Sequence, residues 1–338
     1  MRKFKITIII LIILVIAGFL FWKLGGRSIN IGSSSQQTTN KDNVNPITGE
    51  KCENYNRRPI AVMLATDPET RPLSGISQAD LVVEMLVTNT ITRLMAVYVC
   101  ETPEEIGSAR SARHDYIPLA MGWDAIYAHW GGSHYALDKL DKGIMDNIDA
   151  MVNPYNAFWQ KSGMPMPHNG FTTMERLLNA AEKLGYRLTN KFEGYPHLKL
   201  DEASSEALEK GRLIIGYSGH FKVSYEYNKE ENIYRRWRDN LREIDKNNNN
   251  QAEANVVVIM RADSRMIEPP NYNDVDVEGE GEAIIYQNGV EIKGFWKKEG
   301  TYSKSKLKFL NDKGKEIEFA SGKIWLEIVD PTTEVIWE

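Results

Sequence analysis

Residues 6–22, ITIIILIILVIAGFLFW, run for 17 positions without a charge. A segment this apolar has no polar face to turn to water, so it belongs in a bilayer or in a cleaved signal. Arg2, Lys3 and Lys5 precede it and Lys23 follows, with Phe4, Phe21 and Trp22 at interfacial positions. The positive-inside rule then puts Met1 in the cytoplasm and everything beyond Leu24 outside. The run is longer than a usual signal core, and neither an A-x-A-like cleavage site nor a cysteine for lipid attachment lies near its end. The expectation is a single-pass cell-membrane protein: a cytoplasmic tip over 1–5, a transmembrane anchor over 6–24, and soluble domains outside the cytoplasm.

Residues 25–48 are rich in Ser, Gln, Asn and Thr without apolar periodicity, the pattern of a flexible linker. The rest is globular in composition, and 338 residues suffice for about two domains. A formal net charge of -5 and the lack of a Lys/Arg-dense tract point away from nucleic-acid partners. Cys52 and Cys100 both fall in the soluble body. Outside the cytoplasm they can be a disulfide or two buried thiols, and the sequence leaves both open.

Residues 57–66 read as a strand, and 81–87 with 91–99 as a hairpin about a short polar turn. WDAIYAHW (123–130) is a further strand ending in Gly131-Gly132, before a helix capped by Ser133 and stopped at Gly143. Thr172 and Glu175 suggest a capping box opening a helix that ends near Gly185. From about residue 200, short β-type runs alternate with Gly, Asn and Asp clusters, and KNNNN (246–250) reads as a loop tip. The expected fold class is α/β: a layered mixed-sheet N-terminal domain over 49–195 and a mainly antiparallel β domain over 205–332, behind the N-terminal helix.

RPIAVMLAT, RPLSGISQADLVVEMLV, ITRLMAVY, GSARSAR, YAHWGGS and PHNGFTT, in this order, resemble the YerB-like family of extracytoplasmic proteins of Gram-positive bacteria. NVVVIM, GEGEAIIYQNG, GFWKK and SGKIWLEIV resemble that family's C-terminal domain. The resemblance implies a two-domain body of unknown function and supplies no reaction. Two departures stand out. Many members are lipid-anchored through an N-terminal cysteine that this chain lacks, and Pro118 falls where a helix after SARSAR would continue.

Arg110 and Arg113 share a face if their segment is helical, and Ser108 or Ser111 could cap it. Guanidinium forks beside free helix amides suit phosphate or carboxylate. An ion pair with Asp115 or Glu84 is the structural alternative. Glu84, in the otherwise apolar LVVEMLV, needs a cation or a proton. Arg93 across the turn is the expected partner, and a general base the sharper reading. His129, Gly131, Gly132 and Ser133 form a strand end, a glycine turn and a helix start, where α/β folds place ligands. His168 and Asn169 precede another such start. The candidate ligand-binding set is therefore Arg93, Arg110, Ser111, Arg113, His129, Gly131, Gly132, Ser133, His168 and Asn169, with Glu84 and His129 the catalytic candidates.

No metal is expected, because the histidines lack ligand spacing along a helix, and no cofactor motif is present. Trp123, Trp130 and Trp159 could stack on sugars or pack in the core. The favoured function is an envelope protein binding an anionic or cell-wall-derived ligand, or a cell-wall synthesis partner. The alternative is an enzyme acting on cell-wall glycan or lipid-linked phosphate.

Overall fold

The computed structural model describes residues 43–198 and 211–338. The anchor, most of the linker and the proposed domain junction lie outside the described residues. Among these residues no helix is long and apolar enough to cross a membrane. Asn43–Glu338 form one compact unit.

Its backbone is a ten-stranded mixed sheet to which both halves contribute. The first half supplies the Leu81–Leu86, Thr92–Tyr98, Ile60–Leu64, Ile126–His129 and Asn147–Asp149 strands, side by side. The second half continues the row with Ile324–Val329, Val256–Arg261, Gly279–Gln287, Val290–Lys298 and Lys308–Leu310. The junction is a parallel ladder pairing Leu81 with Ile324 through Glu84 with Glu327. A second, antiparallel sheet contains Arg212–Ile215, Val223–Asn228, Ile233–Arg238 and Val335–Trp337.

Side-chain alternation divides the core in two. Leu81, Val83, Met85, Met95 and Val97 pack on one face with Tyr116, Leu119 and Trp123. Val82, Leu94, Ala96 and Tyr98 pack on the other with Leu213, Val223, Tyr225 and Trp325. The body is mostly β. The expected α/β layering reduces to three described α-helices, Tyr116–Gly122, His134–Leu140 and Met174–Lys183.

The hairpin and the Ser133 cap stand where the residues place them: Ser133 Oγ accepts from the Ala136 amide at 3.2 Å. The third helix starts one residue later than the capping box suggests. Thr173 Oγ1 caps the Arg176 amide, while Thr172 is still in a strand and donates to the Ala157 carbonyl. Pro118 interrupts nothing, because its helix begins at Tyr116 and the first turn needs no donor there. Cys52 and Cys100 are disulfide-bonded. The Asn-rich loop docks on the first half: Asn247 Nδ2 donates to the Glu105 carbonyl at 2.9 Å, and Asp245 accepts from the Gly75 and Ser77 amides.

Candidate anion-binding site

The GSARSAR segment is extended rather than helical. Its backbone is woven between three elements. Arg110 N donates to the Met63 carbonyl at 2.9 Å, Ala109 N to Gly170, and Ala112 N to Gly131. Trp130 N and Ser133 N donate back to the carbonyls of Arg110 and Ala112. These amides hold the segment in place, so the expected helix N-terminus does not form and its side chains become the candidate donors.

Three of those side chains are arginines with few acceptors. Arg93 is buried on the Met85 face of the hairpin and donates through Nη1 to the Ser111 carbonyl at 3.1 Å. Arg113 donates to the Ala112 carbonyl, and its guanidinium lies 5.1 Å from the centre of the Tyr272 ring. Arg110 pairs with Asp67 at 2.7 Å, donates to the Pro167 carbonyl, and lies 3.3 Å from His168 Nδ1. The Nε atom of each of the three is buried without a hydrogen-bond partner.

Burial, then the charges of Arg113 and Arg110, push Arg93 below the ordinary arginine range. Burial does the same to Arg113. Asp67 moves down, because the bond and charge of Arg110 outweigh the effect of its own burial. Asp67 is the carboxylate that this cluster holds directly. Three positive groups with unused Nε donors, Arg110 paired with Asp67 and Arg113 beside Asp115, form an arrangement that favours a further anion.

Glu84 is not part of it. Alternation puts Glu84 on the Val82 face and Arg93 on the other, so the expected pair does not form. Glu84 is fully buried and holds Arg236, Arg238 and Thr92 instead. His129 is also sealed, with its ring nitrogens 2.8 Å from the Gly131 carbonyl and 3.2 Å from Asn147 Oδ1. Neither residue is placed to exchange a proton with a bound molecule.

Gly131, Gly132 and Ser133 build the turn that carries the arginine segment. Gly131 takes a φ of +60° and donates to Asp149, while a Cβ on Gly132 would crowd Ala112 and Leu137 at 3.1 to 3.2 Å. Asn169 contributes its carbonyl to Lys161 N rather than a side chain to the site. Arg93, Arg110, Ser111, Arg113 and His168 are thus brought together; His129, Gly131, Gly132 and Ser133 build the turn beside the segment, and Asn169 bonds Lys161 instead.

Trp123 is a core residue, fully buried and donating to the Tyr195 hydroxyl. Asp67, Tyr116 and Tyr272 complete the cluster without having been anticipated, Tyr116 by donating its hydroxyl to the Arg93 carbonyl. A separate hollow of about 570 Å³, lined by Lys297, Lys304, Lys306 and Lys308, is less suited to an anion. Lys306 there already pairs with Glu193 and Glu316, and Lys297 with Glu280 and Glu299.

Residues 47–187 match the family described as "Protein of unknown function (DUF3048) N-terminal domain". Residues 213–326 match its C-terminal domain. The chain belongs to the DUF3048 family. A Bacillus subtilis (strain 168) relative, "Putative lipoprotein YerB", is 32% identical over 289 residues, 84% of this chain and 85% of its own length. The crystal structure of the YerB protein from Bacillus subtilis superposes with a TM-score of 0.77 at 28% identity, covering 87% of this chain and 99% of that one. In DUF3048 terms the arginines belong to the N-terminal domain, whereas Tyr272, on which Arg113 stacks, comes from the C-terminal domain.

Proposed function

We propose that this chain is a membrane-associated, extracytoplasmic envelope protein that binds an anionic ligand through Arg93, Arg110 and Arg113. The observation that carries the ligand chemistry is the set of three buried guanidinium Nε donors without acceptors, Arg110 being the one of the three paired with Asp67. Phosphate and carboxylate fit such donors because each offers several oxygens in the plane of a guanidinium fork. The envelope placement is supported by the charge-flanked apolar run at 6–22 and by the printed name of the Bacillus subtilis relative. A cell-wall-derived anion meets both conditions. Met151, Val152 and Met166 are strongly exposed, Met151 packing over Gly131 and Met166 preceding Pro167, whose carbonyl accepts from Arg110. An exposed Met166 next to the residue that Arg110 bonds suits a ligand with an uncharged portion next to its anionic one. Binding rather than catalysis is favoured, since Glu84 and His129 are both enclosed.

The test is calorimetric titration of the chain with a soluble peptidoglycan fragment and with a polyprenyl-phosphate mimic. Arg93→Met and Arg113→Met should each weaken binding of whichever probe binds by tenfold or more, as expected for losing a charge-assisted hydrogen bond. Equal affinity in the wild type and both variants would overturn the reading.

A further inference from the structure

Arg113 is followed by His114 and Asp115, and the Tyr272–Val275 strand brings Asp274 against them. His114 is 7% exposed and Asp115 4%. His114 Nε2 lies 3.1 Å from Asp115 Oδ1 and 3.0 Å from Asp274 Oδ1, and one ligand atom from each of the three residues lies within 4.8 Å of the other two. A ring nitrogen carries one proton, so it cannot satisfy both carboxylates. Asp115 otherwise receives the Val275 amide, while the nearby Arg113 is turned to the Ala112 carbonyl and the Tyr272 ring. Asp274 has its other oxygen, Oδ2, engaged by Arg265, which also holds Asp276, so Oδ1 is left to the cluster. The three residues line a hollow of about 260 Å³ with Asp276, Glu278 and Tyr302. A carboxylate buried this deeply beside a second carboxylate requires a cation or a proton.

A cation fits the same separations of 3.1 and 3.0 Å that a shared proton does. Ligand atoms about 2.1 Å from a common ion stand about 3.0 Å apart when they subtend a right angle, and about 3.4 Å at the tetrahedral angle. The two histidine-to-aspartate separations match the first figure. We propose that His114 Nε2, Asp115 Oδ1 and Asp274 Oδ1 bind one divalent transition-metal cation as a three-atom face, leaving its remaining positions toward the hollow. One imidazole nitrogen and two carboxylate oxygens suit Mn²⁺ or Zn²⁺. The ion would tie the end of the arginine segment to the Ser264–Glu268 and Tyr272–Val275 hairpin, and so fix the Arg113–Tyr272 stack. Spacing along a helix could not show this site, because its ligands lie 160 residues apart. It stands independently of the anion reading.

The full chain in detergent is titrated with Mn²⁺, reading loss of the free-ion electron paramagnetic resonance signal, and with Zn²⁺, reading retained metal after gel filtration. One ion per chain is expected, with ¹⁴N coupling to bound Mn²⁺ that disappears in His114→Gln. Asp274→Asn, at the half-buried strand, should weaken binding at least tenfold with an unchanged circular dichroism spectrum. Should His114→Gln or Asp115→Asn fail to fold, the wild-type nitrogen coupling and Asp274→Asn decide. No saturable binding of either ion, bound Mn²⁺ without nitrogen coupling, or unchanged affinity in folded Asp274→Asn would each overturn the site.

Discussion

Glu84 and Glu327 stand directly opposite one another in the parallel ladder that joins the two halves, both fully buried. Like charges in that register repel. Arg236 resolves the conflict by donating to both, Nη2 to Glu84 and Nη1 to Glu327, while stacking 3.8 Å over the Trp325 ring. Arg238 grips Glu84 with two bonds of 2.8 and 2.6 Å, and Glu243 accepts from the Nε atoms of both arginines. Three carboxylates thus face two guanidiniums. Burial pushes Glu327 upward, so it is the member that most readily keeps a proton, and Tyr225 and Tyr217 donate their hydroxyls to it. The network fastens the antiparallel sheet to the ten-stranded one at the seam between the halves.

Arg236→Met should therefore be severe. It strands Glu84 and Glu327 side by side without their shared cation, and breaking a buried pair from one side costs about 3–5 kcal/mol. Glu327→Gln should cost much less, about 1 kcal/mol, since it keeps the shape and replaces the group most easily neutralised. Urea denaturation checks both, read as a change in midpoint at constant slope. Equal losses for the two variants would contradict this division of charge.

Glu243 sets an acid limit on stability. Burial would raise its carboxyl, but the charges and bonds of Arg238 and Arg236 hold it down to about 2, against an ordinary value of 4.5. A depressed folded-state value means the contribution is complete above pH 4.5 and is lost as pH falls from there through about 2. The interval corresponds to about 3 kcal/mol at most. Wild-type stability measured from pH 5 to pH 3 should fall more steeply than that of Glu243→Gln, and parallel curves would refute the assignment.

Local signals were legible and distant ones were not. The hairpin could be read because two β-branched runs flank a short polar turn, and the Ser133 cap because a capping residue needs only its next few neighbours. Even the face of Arg93 was implicit: residues 84 and 93 fall on opposite sides once Glu84 pairs with Leu94 in a two-residue repeat. The cations of Glu84, however, lie 152 and 154 residues away, and Tyr272 reaches Arg113 from the other half. Those contacts depend on the seam, and the seam depends on a parallel ladder between residues 81–84 and 324–327 that no short-range pattern announces. The extended course of GSARSAR was hidden for the same reason, since Met63, Gly131 and Gly170 supply its hydrogen bonds.

The arginine cluster should trade stability for binding. Arg93 is buried beside two like charges without a carboxylate of its own, so its guanidinium contributes repulsion and desolvation against one bond to Ser111. Arg93→Met keeps the apolar stem and removes the charge. Thermal unfolding without ligand should leave Tm unchanged or raise it by a few degrees. Arg110→Met should instead lower Tm, because it abandons the partly buried Asp67. A large drop for Arg93→Met would mean that Arg93 is a structural pin.

The Cys52–Cys100 disulfide closes a loop with a sequence separation of 48 across the Ile60–Leu64 and Leu81–Leu86 strands and reaches the end of Thr92–Tyr98. Asp80 accepts from the Val99 and Cys100 amides and from Asn45 Nδ2, so the bond lies beside a second, non-covalent tie between the entry segment and the hairpin. In the chain-entropy account a loop of this length is worth about 4 kcal/mol, by restricting the unfolded chain. Cys52→Ser with Cys100→Ser should therefore lower the urea midpoint by that equivalent, yet leave the fold intact, because the Asp80 contacts and the strand ladders persist. The same loss should follow reduction of the wild type and should be absent when reductant is added to the double variant. A reductant effect on the double variant would trace the loss to some other cause.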